Sequence, residues 1–241
     1  MLSLYQFPIS HYCEKVRWAL DHKQLDYRGV NFLPGFHVTK AKKLSGRTSV
    51  PILVHDDRVI RNSSDIITYL DTTFPEHPLT PADEPQKQEA LEWERFADRE
   101  VGPYVRRVCY HTLLEYPALV IPFFTLGGPW YGPWLLRPLF PALSKKMRKL
   151  MNINAASAQQ GQEHLVQVLD KVHEHLQGKT YFVGDRFSRA DLAVASLLAP
   201  LCRPAGYGLD WPPGYPEPLA QFVEAQSEKL AWVNRLYKQH R

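Results

Sequence analysis

LSLYQFPISHYCEKVRWALDHK, residues 2–23, decides the fold, because it reads as a strand, a turn and a helix in direct succession. Leu2, Leu4 and Gln6 alternate with Ser3, Tyr5 and Phe7, the period of a strand. Pro8 has no amide hydrogen for a ladder and stops it. From Tyr12 the spacing changes. Cys13, Val16 and Leu20 fall three and four apart, marking one buried helix face, and His22 and Lys23 suit the negative end of that helix. Between the two elements stand Ser10, His11, Tyr12 and Cys13. A helix starting there leaves backbone amides unpaired and a partial positive charge facing outward, so an anion is favoured beside Ser10.

Working outward, Tyr27 to Phe32 reads as a second strand broken by Pro34-Gly35, and Val38 to Leu44 as a short basic helix. Val50 to Val54 is a buried strand, His55 to Arg58 a tight turn, and Val59-Ile60 its hairpin partner. Ser63 or Ser64 caps a helix running to about Asp71, with Ile66, Ile67 and Leu70 inward. The order is βαβαββα. Pro75, Pro78, Pro81 and Pro85 punctuate a linker expected to lie over the surface. Beyond it the period is helical throughout. Trp93, Phe96, Ala97, Val101, Tyr104 and Val108 keep one face, with a kink expected at Gly102-Pro103. Leu165, Val168, Leu169, Val172 and Leu176 do the same later, and Ser188 three residues before Asp191 is a reciprocal helix cap ahead of Leu192 to Ala199.

With 241 residues, 44% of them hydrophobic and 22% charged, the chain can bury one large or two ordinary globular cores. The net charge of +4 is dispersed; the densest run, Lys145 to Lys149, is short and reads as a solvated helix face, so nucleic acid is not implied. Three cysteines without metal-ligand spacing, and no charged-then-apolar leader, fit a reducing cytosol. His173 and His175 are two apart on a helix and do not share a face, so no metal site is expected. No nucleophile elbow, phosphate loop or dinucleotide glycine pattern occurs.

One stretch resists this reading. Pro117 to Leu136 carries no charge, nominally enough to span a bilayer, yet Pro117, Pro122, Pro129, Pro133 and three glycines would break a continuous helix. A lid over an apolar pocket, or a packed seam between two copies, is the expected role. The other reading is a peripheral membrane contact through 117–149, helped by Lys145 to Lys149.

Taken together, the 2–23 unit, Ser49-Val50-Pro51-Ile52, the Asn62-Ser63 helix start and the Ser188-Arg189-Ala190-Asp191 cap resemble the cytosolic glutathione transferases, in the right order and over nearly the whole chain. The resemblance implies an α/β thioredoxin-like domain with a mixed four-stranded sheet, residues 1–76. A Pro-rich linker at 77–85 and an all-helical bundle domain at 86–241, with the apolar Pro/Gly-rich segment at 117–143, would follow. It further implies a cytoplasmic, homodimeric detoxification enzyme that joins glutathione to a hydrophobic electrophile and uses no metal.

Carried over by position, Ser10 stands where the serine-type classes keep the hydroxyl that points at glutathione sulfur. Gln6, not Tyr5, falls where other classes keep a catalytic tyrosine, so Tyr5 is expected to pack. Val50-Pro51, following Ser49, matches the family's cis-proline element, which would turn the Val50 main chain toward the peptide. Ser63 matches the serine that binds the γ-glutamyl carboxylate, while Asn62 replaces the family's acid or glutamine, a helix cap being its other reading. Arg47 would balance the glycine carboxylate. His11, Tyr12, Tyr104, Tyr110, Trp130, Tyr131 and Trp134 are candidates for the acceptor pocket. Cys13 falls at the second cysteine of a redox Cys-x-x-Cys, but Ser10 replaces the first, so thiol-disulfide exchange ranks last and Cys13 is expected to be buried. A non-enzymatic binding protein for hydrophobic ligands, or for a protein or membrane partner, is the competing class.

Overall fold

In a computed structural model describing residues 1–212 and 214–241, the N-terminal unit is β1 (Leu2–Gln6), α1 (His11–His22), β2 (Tyr27–Asn31), α2 (His37–Ser45), β3 (Ile52–His55), β4 (Arg58–Arg61) and α3 (Ser63–Thr73). The four strands lie in the order β2-β1-β3-β4, with β1 parallel to β2 and antiparallel to β3, and β3 antiparallel to β4. The expected βαβαββα order and mixed sheet are both present. Strand alternation sorts the side chains onto two faces. Leu2, Leu4 and Leu53 join Val16, Leu20, Ile66 and Leu70 in the main core under α1 and α3. Phe32 and Ile52, with Tyr5 and Phe7 against them, meet Ala41 of α2 on the other face. Tyr5 is therefore a packing residue, its ring 5.6 Å from that of Phe32.

The second unit is helical: α4 (Glu84–Phe96), α5 (Gly102–Leu113), α6 (Pro117–Thr125), α7 (Gly132–Leu150), α8 (Ala155–His175), α9 (Arg189–Cys202), α10 (Leu219–Ala225) and α11 (Ser227–His240). Between α4 and α5 the kink expected at Gly102-Pro103 takes the form of a π-helical turn at Ala97–Val101. Helix α9 is the axis of this unit, buried from Arg189 to Leu201 and started by the Ser188/Asp191 capping box.

The linker follows the surface as expected, with Pro75, Pro78 and Pro85 exposed, but it is anchored at one point: Leu79, 1% exposed, inserts between the two units, and Asp71 accepts from the Leu79 and Thr80 amides at 3.2 and 2.9 Å. The Pro/Gly-rich segment is broken as expected, into two helices on either side of residues 126–131. Pro117 and Pro133 sit in first turns, where no amide is needed, and Pro122, Pro138 and Pro141 are carried inside α6 and α7. Asn31 Nδ2 donates to the Leu126 carbonyl at 3.3 Å, and at Gly127 (φ 60°) a Cβ would overlap that amide, so the α6–α7 hairpin sits hard against the N-terminal unit.

Buried charge joins the two units. Lys15 reaches Glu94 at 2.9 Å and Asp98 at 2.8 Å, and Arg189 closes on the second Glu94 oxygen at 2.6 Å. Burial alone would raise the Glu94 pKa; Lys15 and Arg189 outweigh it and hold the carboxyl below its ordinary range.

Candidate active site

Ser10 is the N-cap of α1, with extended backbone (φ −74°, ψ 119°) and Oγ accepting from the Cys13 amide at 3.4 Å. The turn presenting it is fastened on every side. Buried Arg17 donates to the Pro8 carbonyl at 3.0 Å and to Gln6 Oε1 at 2.8 Å while pairing with Glu14 at 2.7 Å. Tyr207 donates to the Ile9 carbonyl at 2.8 Å, and Arg241 meets the other Glu14 oxygen at 2.9 Å. Arg17 is thus the structural partner of a carboxylate.

Ser10 opens onto a cleft of about 350 Å³ between the two units. Phe7, Ser10, Ser49 and Val50 form one wall, and side chains of α5 and α7 the other. Of the residues singled out from the sequence, Ser10, Ser49 and Val50 come together here. Pro51 is buried after a cis bond from Val50. Asn62, Ser63 and Arg47 lie off this wall. Asn62 (φ 67°, ψ 131°) caps α3, its side chain accepting from the Ser64 amide at 3.4 Å. Ser63 is 1% exposed and its hydroxyl has no partner; Arg47 is exposed.

Among the described residues no aspartate or glutamate lines the cleft, whereas the cations Arg106 and Lys146 do, together with His11 and His37. Its own acids are also silent near neutrality. Burial pushes the Cys109 thiol up to about 12 and raises the Tyr110 phenol further. Cys13, fully buried behind Ser10, has its thiol raised by burial too. Burial and the Arg106 charge push His11 down to about 3, and its Nε2 has no partner. A cleft with cations and no ionised nucleophile of its own suits a ligand that brings the anion with it.

The acceptor candidates divide. His11, Tyr12 and Tyr110 line the cleft, and Tyr12 donates to the Asp98 carbonyl at 2.8 Å with its ring against Gly102, where a Cβ would overlap the hydroxyl. Tyr104 does not; it stacks on His164 at 3.9 Å. Trp130, Tyr131 and Trp134 face away, 85%, 49% and 70% exposed. In their place α7 supplies Leu143, Met147 and Leu150. Arg106 and Met147 had no signal in the sequence beyond helical spacing.

Comparison with known proteins gives two family matches: the glutathione S-transferase N-terminal domain over residues 4–78 and the glutathione S-transferase C-terminal domain over 155–225. Glutathione S-transferase 1 of Dianthus caryophyllus is 45% identical over 85 residues, 34% of this chain and 38% of its own length. Glutathione S-transferase TCHQD of Arabidopsis thaliana is 24% identical over 225 residues, covering 83% of this chain and 77% of that one. Among solved structures, glutathione S-transferase III in apo form superposes with a TM-score of 0.65 at 24% identity over 98% of this chain and 90% of its own. A glutathione S-transferase from Methylobacillus flagellatus with glutathione bound gives 0.65 at 19% over 100% and 98%.

Proposed function

Because the chain belongs to the glutathione transferase family, with both family domains matched in order, we propose that it ionises the thiol of glutathione at Ser10 and directs it at an apolar electrophile. The observation that carries this reading is the state of the Ser10 hydroxyl. Its oxygen accepts from the Cys13 amide and the residue lines the cleft, so on this reading the hydroxyl turns its proton to a sulfur bound there. A hydrogen bond to a charged sulfur contributes roughly 1.5–3 kcal/mol, about one to two units of thiol acidity, and the start of α1 adds its partial charge. The thiol proton leaves to solvent, and the thiolate forms a carbon–sulfur bond to the electrophile as the leaving group departs with its bonding pair or, in an addition, as the π pair shifts away and takes a proton from solvent; holding both reactants in one cleft supplies the rest.

The remaining contacts are assigned by the same reading. The Val50 main chain would meet the peptide, and the start of α3 the γ-glutamyl carboxylate. There the buried, unpaired Ser63 hydroxyl costs about 1–3 kcal/mol, which a ligand carboxylate would relieve. Arg47 would lie toward the glycine end. Thiol-disulfide exchange through Cys13 has no support, because that sulfur is inaccessible. A cytoplasmic homodimer serving detoxification belongs to the same proposal.

The test is a glutathione titration followed by the thiolate absorbance band, repeated on Ser10→Ala and Ser10→Cys. Saturable ionisation in the wild type, conjugation falling roughly 10- to 100-fold in Ser10→Ala, and thiol transfer appearing in Ser10→Cys are expected. Absence of saturable binding in the wild type would favour a non-enzymatic binding protein instead.

A further inference from the structure

The α6–α7 hairpin lies between the two family matches, outside both, and the cleft uses only one of its faces. Leu136 and Phe140 point into the protein, and Leu143 and Met147 toward the cleft. The opposite side leaves Trp130, Trp134 and Leu139 at 85%, 70% and 44% exposure, with Leu126 and Tyr131 beside them. Large aromatic side chains this open to water are uncommon on a protein with nothing to cover them.

Charge identifies the cover. From Pro117 to Gln162 the chain has five basic residues, Arg137, Lys145, Lys146, Arg148 and Lys149, and no aspartate or glutamate, while the whole protein carries only +4. The hairpin segment therefore carries +5 with no acid of its own to offset it. Of the five, Arg148 pairs with Glu115. Arg137 lies over the Trp134 ring at 5.6 Å, and Lys145, Lys146 and Lys149 are exposed. In α7 the exposed positions 134, 138, 141, 145 and 149 recur at helical spacing, aromatic at the start and cationic at the end.

We infer that this face of the hairpin docks on an anionic lipid surface, with Trp130, Tyr131 and Trp134 in the headgroup layer and Lys145 and Lys149 against the lipid phosphates. Tryptophan and tyrosine settle at that depth because the ring is apolar and its N–H or O–H stays wet, and lysine stems lie along it with the ammonium in water. A second copy of the chain fits worse. A two-fold contact joins the same patch from both copies, and this one would gather the basic residues of both into one interface with no acid within the segment to offset them. No helix among the described residues is long and apolar enough to cross a membrane, so the contact is peripheral. The mouth of the cleft, between α7 and the loop before α2, would then open beside the lipid.

The full chain is mixed with vesicles of phosphatidylcholine alone or containing phosphatidylglycerol, sedimented, and its tryptophan emission recorded. Sedimentation with the anionic vesicles only, weakening as salt is added, and a blue-shifted emission are expected. Trp130→Ala/Trp134→Ala should lose the shift and most of the partition, and Lys145→Gln/Lys149→Gln should lose roughly fivefold for each lysine. All four side chains are exposed, so the variants should melt as the wild type does; if the tryptophan pair fails to fold, the lysine pair carries the test. No partition into anionic vesicles, equal partition into both, or wild-type binding by the tryptophan pair would overturn the inference. Self-association abolished by Trp130→Ala/Trp134→Ala, or an oligonucleotide bound where vesicles are not, would overturn it equally by giving the face to another partner.

Discussion

The two walls of the cleft are built in opposite ways. Under Ser10, every carbonyl of the turn from Phe7 to Ile9 is held by a hydrogen bond, and behind it runs the Arg17–Glu14–Arg241 chain, buried at Arg17 and Glu14. Across from it, α7 offers Leu143, Met147 and Leu150, and the hairpin's polar ties are at its edges, Asn31 to Leu126 and Glu115 to Arg148. A reactant that is always the same sulfur is served by a wall with one geometry. The electrophile proposed for the other side would be served by flexible apolar side chains, the unbranched, polarisable Met147 above all, that refill the space around it.

Removing Glu14 should break the first wall most severely. It is 0% exposed and pairs with Arg17 and Arg241, so Glu14→Ala leaves the buried Arg17 guanidinium without its carboxylate and Arg241 with Asp21 alone. A loss of about 3–5 kcal/mol is expected in urea unfolding. Glutathione affinity should fall with it, since the turn carrying Ser10 is released. If affinity holds while stability drops, the turn is positioned by packing and not by charge.

His11, at the junction of the two walls, gives a pH test. Its folded-state pKa of about 3 lies below the ordinary 6.5. The unfolded chain therefore takes up a proton there that the folded chain refuses. The stability this represents is complete above pH 6.5 and is lost as pH falls toward 3. His11→Phe removes the imidazole while keeping a ring, so its melting temperature should fall less steeply with acid across that interval. An unchanged slope would mean that the other depressed histidines, such as His22 at about 4, dominate acid unfolding.

Legibility from the sequence followed the same division. Strand alternation, Pro8, the 3–4 spacing after Tyr12 and the Ser188/Asp191 cap are local signals, and each element formed within a residue or two of its reading. Ser10, Ser49 and Val50 meet because β1 and β3 are neighbours in the sheet, an adjacency between strands some fifty residues apart. What depended on distant packing was hidden. Nothing local says that Leu79 will be gripped between two units, that Pro138 and Pro141 will be tolerated within α7, or that Trp130 and Trp134 will turn from the cleft while Met147 enters it. Proline reads as a breaker, and only tertiary contact along the inner face of α7 overrides it.

The smallest expected effect is the most specific to the second wall. Met147 is half-buried and faces the cleft, so Met147→Ala removes little core and should leave the melting temperature nearly unchanged. It takes several heavy atoms from the surface meeting the electrophile. A partly lost apolar contact of this kind is worth about 1 kcal/mol, or roughly fivefold, in KM for a bulky electrophile. The KM for glutathione should not move, because nothing in the Ser10 wall touches that side chain's replacement. Equal shifts in both constants would show that the walls are coupled, with α7 helping to set the turn that carries the serine. That result would erase the contrast between a fixed side and an adaptable one.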